Sequence, residues 1–250
     1  MKIWAIADLH LCFGVPSKSM ELFGPTWKDY TRQIEKHWRA QISDEDLVLI
    51  AGDISWAMKP EDAVKDLEWI DQLPGTKVMI RGNHDYWWSS LSKVQKILPA
   101  SIHAIHLNTY SFDGVSIGGA RLWDTEEYNF NQYIEFRENP AEKKEKEPFD
   151  NQKIFERELQ RLEMSLKQLD QKAKCRMVMT HYPPIGADLR PSRTSCLLKQ
   201  YNVDVCIFGH LHQVRAGSLP FGTVEGTAYH LTSCDYLGFD PQRIEYANLH

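Results

Sequence analysis

Three short apolar runs, Ile3 to Ala7, Leu47 to Ala51 and Lys77 to Ile80, are separated by two stretches of helical periodicity. In the first stretch Trp27, Tyr30, Ile34, Trp38 and Ile42 recur at helical spacing. In the second, Val64, Leu67, Ile70 and Leu73 form a stripe behind Pro60, which stands where a helix has no use for a backbone N–H. Strand, helix, strand, helix, strand is the order of a parallel sheet with crossover helices. Downstream, a short helix is expected near Leu91 to Leu98 and strands at Ile102 to Leu107 and Val115 to Ala120. A helix over Ile154 to Leu169 carries a stripe of Phe155, Leu159, Leu162, Leu166 and Leu169, and strands follow at Met177 to Thr180 and Val203 to Phe208. From Val214 onward, short runs of Gly, Thr and β-branched residues read as antiparallel strands.

Neither a repeat nor a linker divides the 250 residues, so a single domain over 1–250 is expected, with a solvated charged insert around 138–150. In that insert Lys143, Lys144 and Lys146 stand among Glu142, Glu145 and Glu147. The net charge of -5 argues against nucleic acid or an anionic membrane as partner. The 5 cysteines are scattered without CxxC spacing, which argues against a disulfide framework and a thiolate zinc site. No apolar run is long enough for a bilayer, and Asp8 arrives too early for a signal peptide, so a cytoplasmic location is expected.

Each apolar run ends in polar residues of one kind. Asp8 and His10 follow the first, Asp53 the second, Asn83 and His84 the third, His181 the fourth, and His210 and His212 the fifth. Neighbouring parallel strands present their C-terminal ends on one rim, where α/β proteins hold ligands. Gathering so many imidazoles and carboxylates is costly unless something pairs them, and divalent metal binds both. Oxygen and nitrogen donors without thiolate suit Mn, Fe or Zn better than Mg or Ca. Gly52, Gly82 and Gly209 precede candidate ligands, as a crowded turn requires.

Asp8-Leu9-His10, Gly52-Asp53, Gly82-Asn83-His84-Asp85, His181 and Gly209-His210-Leu211-His212 resemble the five ordered motifs of the calcineurin-like metallophosphoesterase superfamily, in the manner of its small bacterial phosphohydrolases. The resemblance implies an α/β fold of two central mixed sheets packed as a sandwich and flanked by helices, four layers in the order αββα. It implies two divalent transition metal ions. Asp8, His10, Asp53 and His212 would hold one, and Asp53, as bridge, with Asn83, His181 and His210 would hold the other. A hydroxide between the ions would attack phosphorus in line, and the net positive site would draw in a phosphate-ester small molecule. His84 would be the non-ligand histidine that assists the leaving group.

Other residues are less constrained. Arg81 is a candidate substrate contact, since its planar fork suits phosphate oxygens. Arg190 and Arg193 are candidates of the same kind, on a loop expected to overhang the metals after His181 and Pro183-Pro184. Asp85 either orients nearby groups or closes the turn. Tyr86, Trp87 and Trp88 are read as core aromatics, with a cleft wall as the alternative. Cys12 is read as a bystander. Gly52-Asp53 continues as Ile54-Ser55-Trp56-Ala57, without the Asp-Arg pair of the protein serine/threonine phosphatases, which argues against a phosphoprotein substrate. The chain also lacks length for the accessory domain of the 5′-nucleotidase branch. A nuclease of the same superfamily would need a basic groove that the charge does not advertise. A non-catalytic scaffold would not need the complete motif set.

Overall fold

The computed structural model describes residues 1–135, 148–215, 217–219 and 221–246. Most of the expected charged insert at 138–150, and His250, lie outside the described residues.

In chain order the elements are β1 (Ile3–Ile6), α1 (Tyr30–Gln41), β2 (Leu47–Ile50), α2 (Pro60–Asp71), β3 (Thr76–Met79), α3 (Leu91–Gln95), β4 (Ile102–Ala104), β5 (Tyr110–Phe112), β6 (Val115–Ala120), α4 (Pro148–Leu166), β7 (Cys175–Thr180), α5 (Arg193–Gln200), β8 (Val205–Phe208), β9 (Thr223–Val224), β10 (Thr227–Leu231) and β11 (Gln242–Ile244). They form two mixed sheets, ordered β11-β1-β2-β3-β4 and β5-β6-β7-β8-β10-β9. In the first, β1 to β4 run parallel and β11 is antiparallel to β1. In the second, β6, β7, β8 and β10 run parallel, while β5 and β9 pair antiparallel at the edges.

Alternation along the strands builds three apolar layers. Ile3, Ala5, Leu47, Leu49 and Val78 face Met177, Met179, Val205 and Ile207 across the sandwich. Trp4, Ile6, Val48 and Ile50 turn outward, where Ile34 and Trp38 of α1 and Leu67 and Ile70 of α2 cover them. On the far side Val178, Cys206 and Phe208 pack with Leu162 and Leu166 of α4 and Leu198 of α5. This is the four-layer αββα order.

Three local expectations are corrected. The tail is not wholly antiparallel, because β10 joins β8 in parallel. Trp27 belongs to a short 3-10 turn ahead of α1. The segment after Pro191 is not loop throughout. The Ser192 hydroxyl accepts from the Ser195 amide and the Ser195 hydroxyl accepts from the Ser192 amide, a reciprocal cap that starts α5 at Arg193.

The C-terminal ends of β1, β2 and β3 lie side by side, as do those of β7 and β8. The two sheets are stitched at this rim: the Ala7 amide donates to Thr232 O at 2.7 Å, and the Cys234 amide donates to Ala7 O at 3.0 Å. Among the described residues no helix is long and apolar enough to cross a membrane.

Candidate metal centre

The rim residues are held in backbone conformations that most side chains avoid. Asp8 (φ 60), His10 (φ 45), Asp53 (φ 52) and His210 (φ 73) all occupy the left-handed region. Such strain, collected at one point, marks a site the surrounding structure enforces. The glycines allow the crowding. A Cβ on Gly82 would collide with the amide and carboxylate of Asp53, and one on Gly209 with the Asp8 carboxylate. Gly52 combines φ +94 with a Cβ position 2.7 Å from His181 Nδ1.

Backbone amides anchor the two carboxylates. His84 N donates to Asp53 Oδ1 at 2.8 Å, and His210 N donates to Asp8 Oδ2 at 2.9 Å. The remaining donor atoms converge as two overlapping groups, Asp8–His10–His212 and Asp8–Asp53–His181, each with its ligating atoms within 4.8 Å of one another. Asp53 Oδ2, in the second group, lies 3.4 Å from His181 Nε2 and also 3.7 Å from His10 Nε2 of the first. Asn83 Oδ1 lies 2.7 Å from His181 Nε2 and 3.1 Å from His210 Nδ1, which brings the third, fourth and fifth motifs to one atom.

The donor set suits cations. His181 Nδ1 donates to Ala51 O at 3.0 Å, so the neutral ring aims its Nε2 lone pair at two acceptor oxygens, those of Asn83 and Asp53. His212 Nδ1 lies 2.9 Å from Asp235 Oδ1, which turns its Nε2 toward His10 Nε2 at 3.1 Å. His10 Nδ1 is buried without a partner. Lone pairs directed at lone pairs are unfavourable alone and are what a divalent ion resolves. Without one, protons fill part of that role. Burial lowers the pKa of both His181 and His212, but the carboxylates outweigh it: Asp53 and Asp8 lift His181 to about 9, and Asp235, Asp8 and Asp53 lift His212 to about 9. Burial, which Asp53 only partly offsets, pushes His10 down to about 3, and His210 also falls well below the usual range.

His84 stands beside this set. Its ring lies 4.6 Å from Trp56 and 5.7 Å from His10, its Nδ1 is buried without a partner, and burial lowers its pKa. Asp85 does both of the things expected of it. It accepts from Gly82 N at 2.8 Å, Ile54 N at 2.9 Å, Ser55 N at 3.1 Å and Trp87 Nε1 at 2.9 Å, tying the second motif to the third. Burial and the nearby Asp53 raise its pKa to about 6, although those donors oppose the rise. Trp87 and Trp88 are core, whereas Tyr86 is 51% exposed.

Arg190 and Arg193 are not among the residues brought together. Arg190 is a surface side chain 3.3 Å from Asp188, and Arg193, in the first turn of α5, forks onto Glu156 at 2.5 and 2.7 Å. Arg81 does lie at the rim, its Nε buried without a partner.

Several supporting residues carry no sequence signal. Asp235 orients His212 and also accepts from Gln213 N at 2.9 Å. The Tyr30 hydroxyl donates to His10 O at 2.7 Å, and Cys234 Sγ donates to Asp8 O at 3.0 Å. Trp56 stacks on His10 at 4.8 Å, and Tyr182 lies against His210 at 3.9 Å. Trp56 and Tyr182 sit beside motif residues, three after Asp53 and one after His181, whereas Asp235, Tyr30 and Cys234 reach the site from distant elements with no spacing that links them to a motif.

Comparison with known proteins gives a consistent result. A family model described as calcineurin-like phosphoesterase matches residues 1–214. The Gene 66 protein of Mycobacterium phage D29 is 32% identical over 83 residues, and the match spans 33% of this chain and 40% of the phage protein. The fold is similar to that of the phosphopantetheinyl hydrolase PptH of Mycobacterium tuberculosis, with a TM-score of 0.54 at 13% identity over 97% of this chain and 95% of that one. It is also similar to TT1561 of Thermus thermophilus, with a TM-score of 0.51 at 12% identity over 99% and 98% of the two chains. At such identities the likeness is one of fold.

Proposed function

The chain belongs to the calcineurin-like phosphoesterase family; from that premise we propose that it is a metal-dependent phosphohydrolase that works with two divalent ions on small phosphate esters, monoester or diester. The observation that carries this reading is the pair of converging donor groups that share Asp8, with Asp53 of the second group also 3.7 Å from His10 of the first. Asp8, His10, Asp53 and His212 would hold one ion, and Asp53, Asn83, His181 and His210 the other. Mn, Fe or Zn fits the oxygen and nitrogen donors, since Cys234 spends its sulfur on Asp8 O. Bound there, two divalent ions supply an activated water and neutralise charge on the phosphoryl oxygens.

The rest is done by the chain. The His84 amide fixes Asp53 while its ring faces the same space, so backbone and imidazole act from one residue. A ring kept neutral by burial donates an N–H to the leaving oxygen as charge develops there. Arg81, two residues before Asn83, would add positive charge beside the site.

The test is a panel of bis-p-nitrophenyl phosphate, p-nitrophenyl phosphate, cyclic nucleotides and single-stranded DNA, run with Mn, Fe or Zn. We expect metal-dependent hydrolysis of at least one aryl ester, about two ions per chain by elemental analysis, and loss of both ions in Asp53→Asn. Two bound ions with no turnover on any member, or full activity in Asp53→Asn, would overturn the reading. Turnover of single-stranded DNA alone would make the protein a nuclease.

A further inference from the structure

Beside the candidate metal centre four guanidinium groups gather around one carboxylate. Glu158 of α4 is 2% exposed. Its Oε1 takes Arg161 at 2.7 Å, Arg121 at 3.2 Å and Arg157 at 3.5 Å. Arg81 is the fourth. It feels Arg121 and Arg161 as like charges and Asp85 and Glu158 as opposite ones, yet no hydrogen bond or ion pair reaches it among the described residues, and its Nε is buried. Asp85 offers it little, because its oxygens are already taken by three backbone amides and an indole. Four positive charges therefore stand against the carboxylates of Glu158 and Asp85, in a chain whose net charge is -5.

The cluster belongs to the same rim. Arg81 comes two residues before Asn83. The backbone oxygen of Arg121, just past β6, accepts the amides of His181 at 3.1 Å and Tyr182 at 3.0 Å. The Arg121 guanidinium is fixed by Glu158 on one side and by the Trp123 ring, 4.6 Å away, on the other. Arg157 and Arg161 open to solvent, with side chains 55% and 36% exposed. A half-buried guanidinium without a partner is costly, and its fork is shaped for a phosphate. An excess of positive charge at this place stabilises an anion more than it stabilises the empty fold.

We propose that Arg81, Arg121 and Arg161, with Arg157 at the mouth, form a second phosphate subsite beside the metal centre, so that the substrate carries a further phosphate group in addition to the one that is cleaved. This rests on the reading above for the cleaved group, and its test has an arm that does not. Glu158 holds Arg121 and Arg161 in place through one carboxylate oxygen, and Arg81 supplies the free donor. Substrates with one phosphate fill only the metal centre; bisphosphates or diphosphates fill both.

The first arm is calorimetric titration of metal-free protein with inorganic pyrophosphate. Wild type should bind one equivalent, and Arg81→Gln and Arg161→Gln should each weaken binding about tenfold or more. Arg81→Lys, which keeps the charge and is the milder change should Arg81→Gln fold poorly, should fall between them and wild type. No binding to wild type, or equal binding by Arg81→Gln and Arg81→Lys to that of wild type, would overturn the subsite. The second arm compares metal-loaded enzymes on AMP and adenosine 3′,5′-bisphosphate. The ratio of kcat/KM for the bisphosphate to that for AMP should fall about tenfold in Arg81→Gln and in Arg161→Gln. An unchanged ratio would also overturn it. If no phosphate ester is turned over, the catalytic reading fails, and the pyrophosphate titration decides the subsite by itself.

Discussion

Asp235 shows how a residue far from any motif can govern one inside it. It holds His212 Nδ1 at 2.9 Å and Gln213 N at 2.9 Å, and so decides which nitrogen of His212 faces the site. Asp235→Asn should weaken metal binding about 10- to 100-fold while leaving the fold intact, as losses of ligand-orienting carboxylates do. Competition against a chelator measures this, and unchanged affinity would make Asp235 a mere tail anchor. His84 tests the opposite relation. His84→Ala should lower kcat by about 10²- to 10⁴-fold with both ions retained, because the amide that fixes Asp53 survives the substitution. Lost ions would show the imidazole itself to be a ligand. The rim residues were legible in the sequence because each follows an apolar run, so that position alone indicates where it goes. Asp235, Tyr30 and Cys234 were not, since a partner 20 to 226 residues away is chosen by the tertiary fold.

Among elements, the strand ends do most of the positioning, and the close approach of neighbouring turns sets its tolerance. Gly82 follows β3 and lies against Asp53, which follows β2, with no room for a methyl group between them. Gly82→Ala should therefore push the Asp53 carboxylate aside and cost about 10- to 100-fold in turnover, whereas Gly222→Ala, which meets nothing within 4 Å, serves as the control. Equal activity of the two variants would mean that the turn relaxes. The crossover order, the amphipathic helices and the parallel core were readable from periodicity alone. The start of α5 was not. Pro183, Pro184 and Pro191 mark a loop, and the Ser192 to Ser195 cap that ends it carries no Glu or Gln to advertise it. The consequence reaches the site, because Arg193, expected over the metals, is turned by that helix onto Glu156.

For the whole molecule, metal and protons compete. His181 and His212, each raised to about 9, are protonated at neutral pH without metal, and an ion must displace those protons. His10, lowered to about 3, is already neutral and gives up none. Metal affinity should therefore climb as pH rises from 6.5 toward 9, by about tenfold per pH unit for each proton displaced, and level off above. Chelator competition at pH 6.5, 7.25 and 8 checks the slope; a flat profile would mean that both rings are neutral before the ion arrives.

The stitch between the sheets has a further consequence. Ala7 and Asp8 are joined to Thr232 and Cys234 across more than 220 positions of chain. A ribosome releases Asp8 long before Asp235. An emerging chain can display Asp8, His10, Asp53 and Asn83 long before β10 exists to lock the two sheets together. Metal loading thus waits until β10 and Asp235 have been made, and the long closure that completes the centre makes this a slow-folding topology.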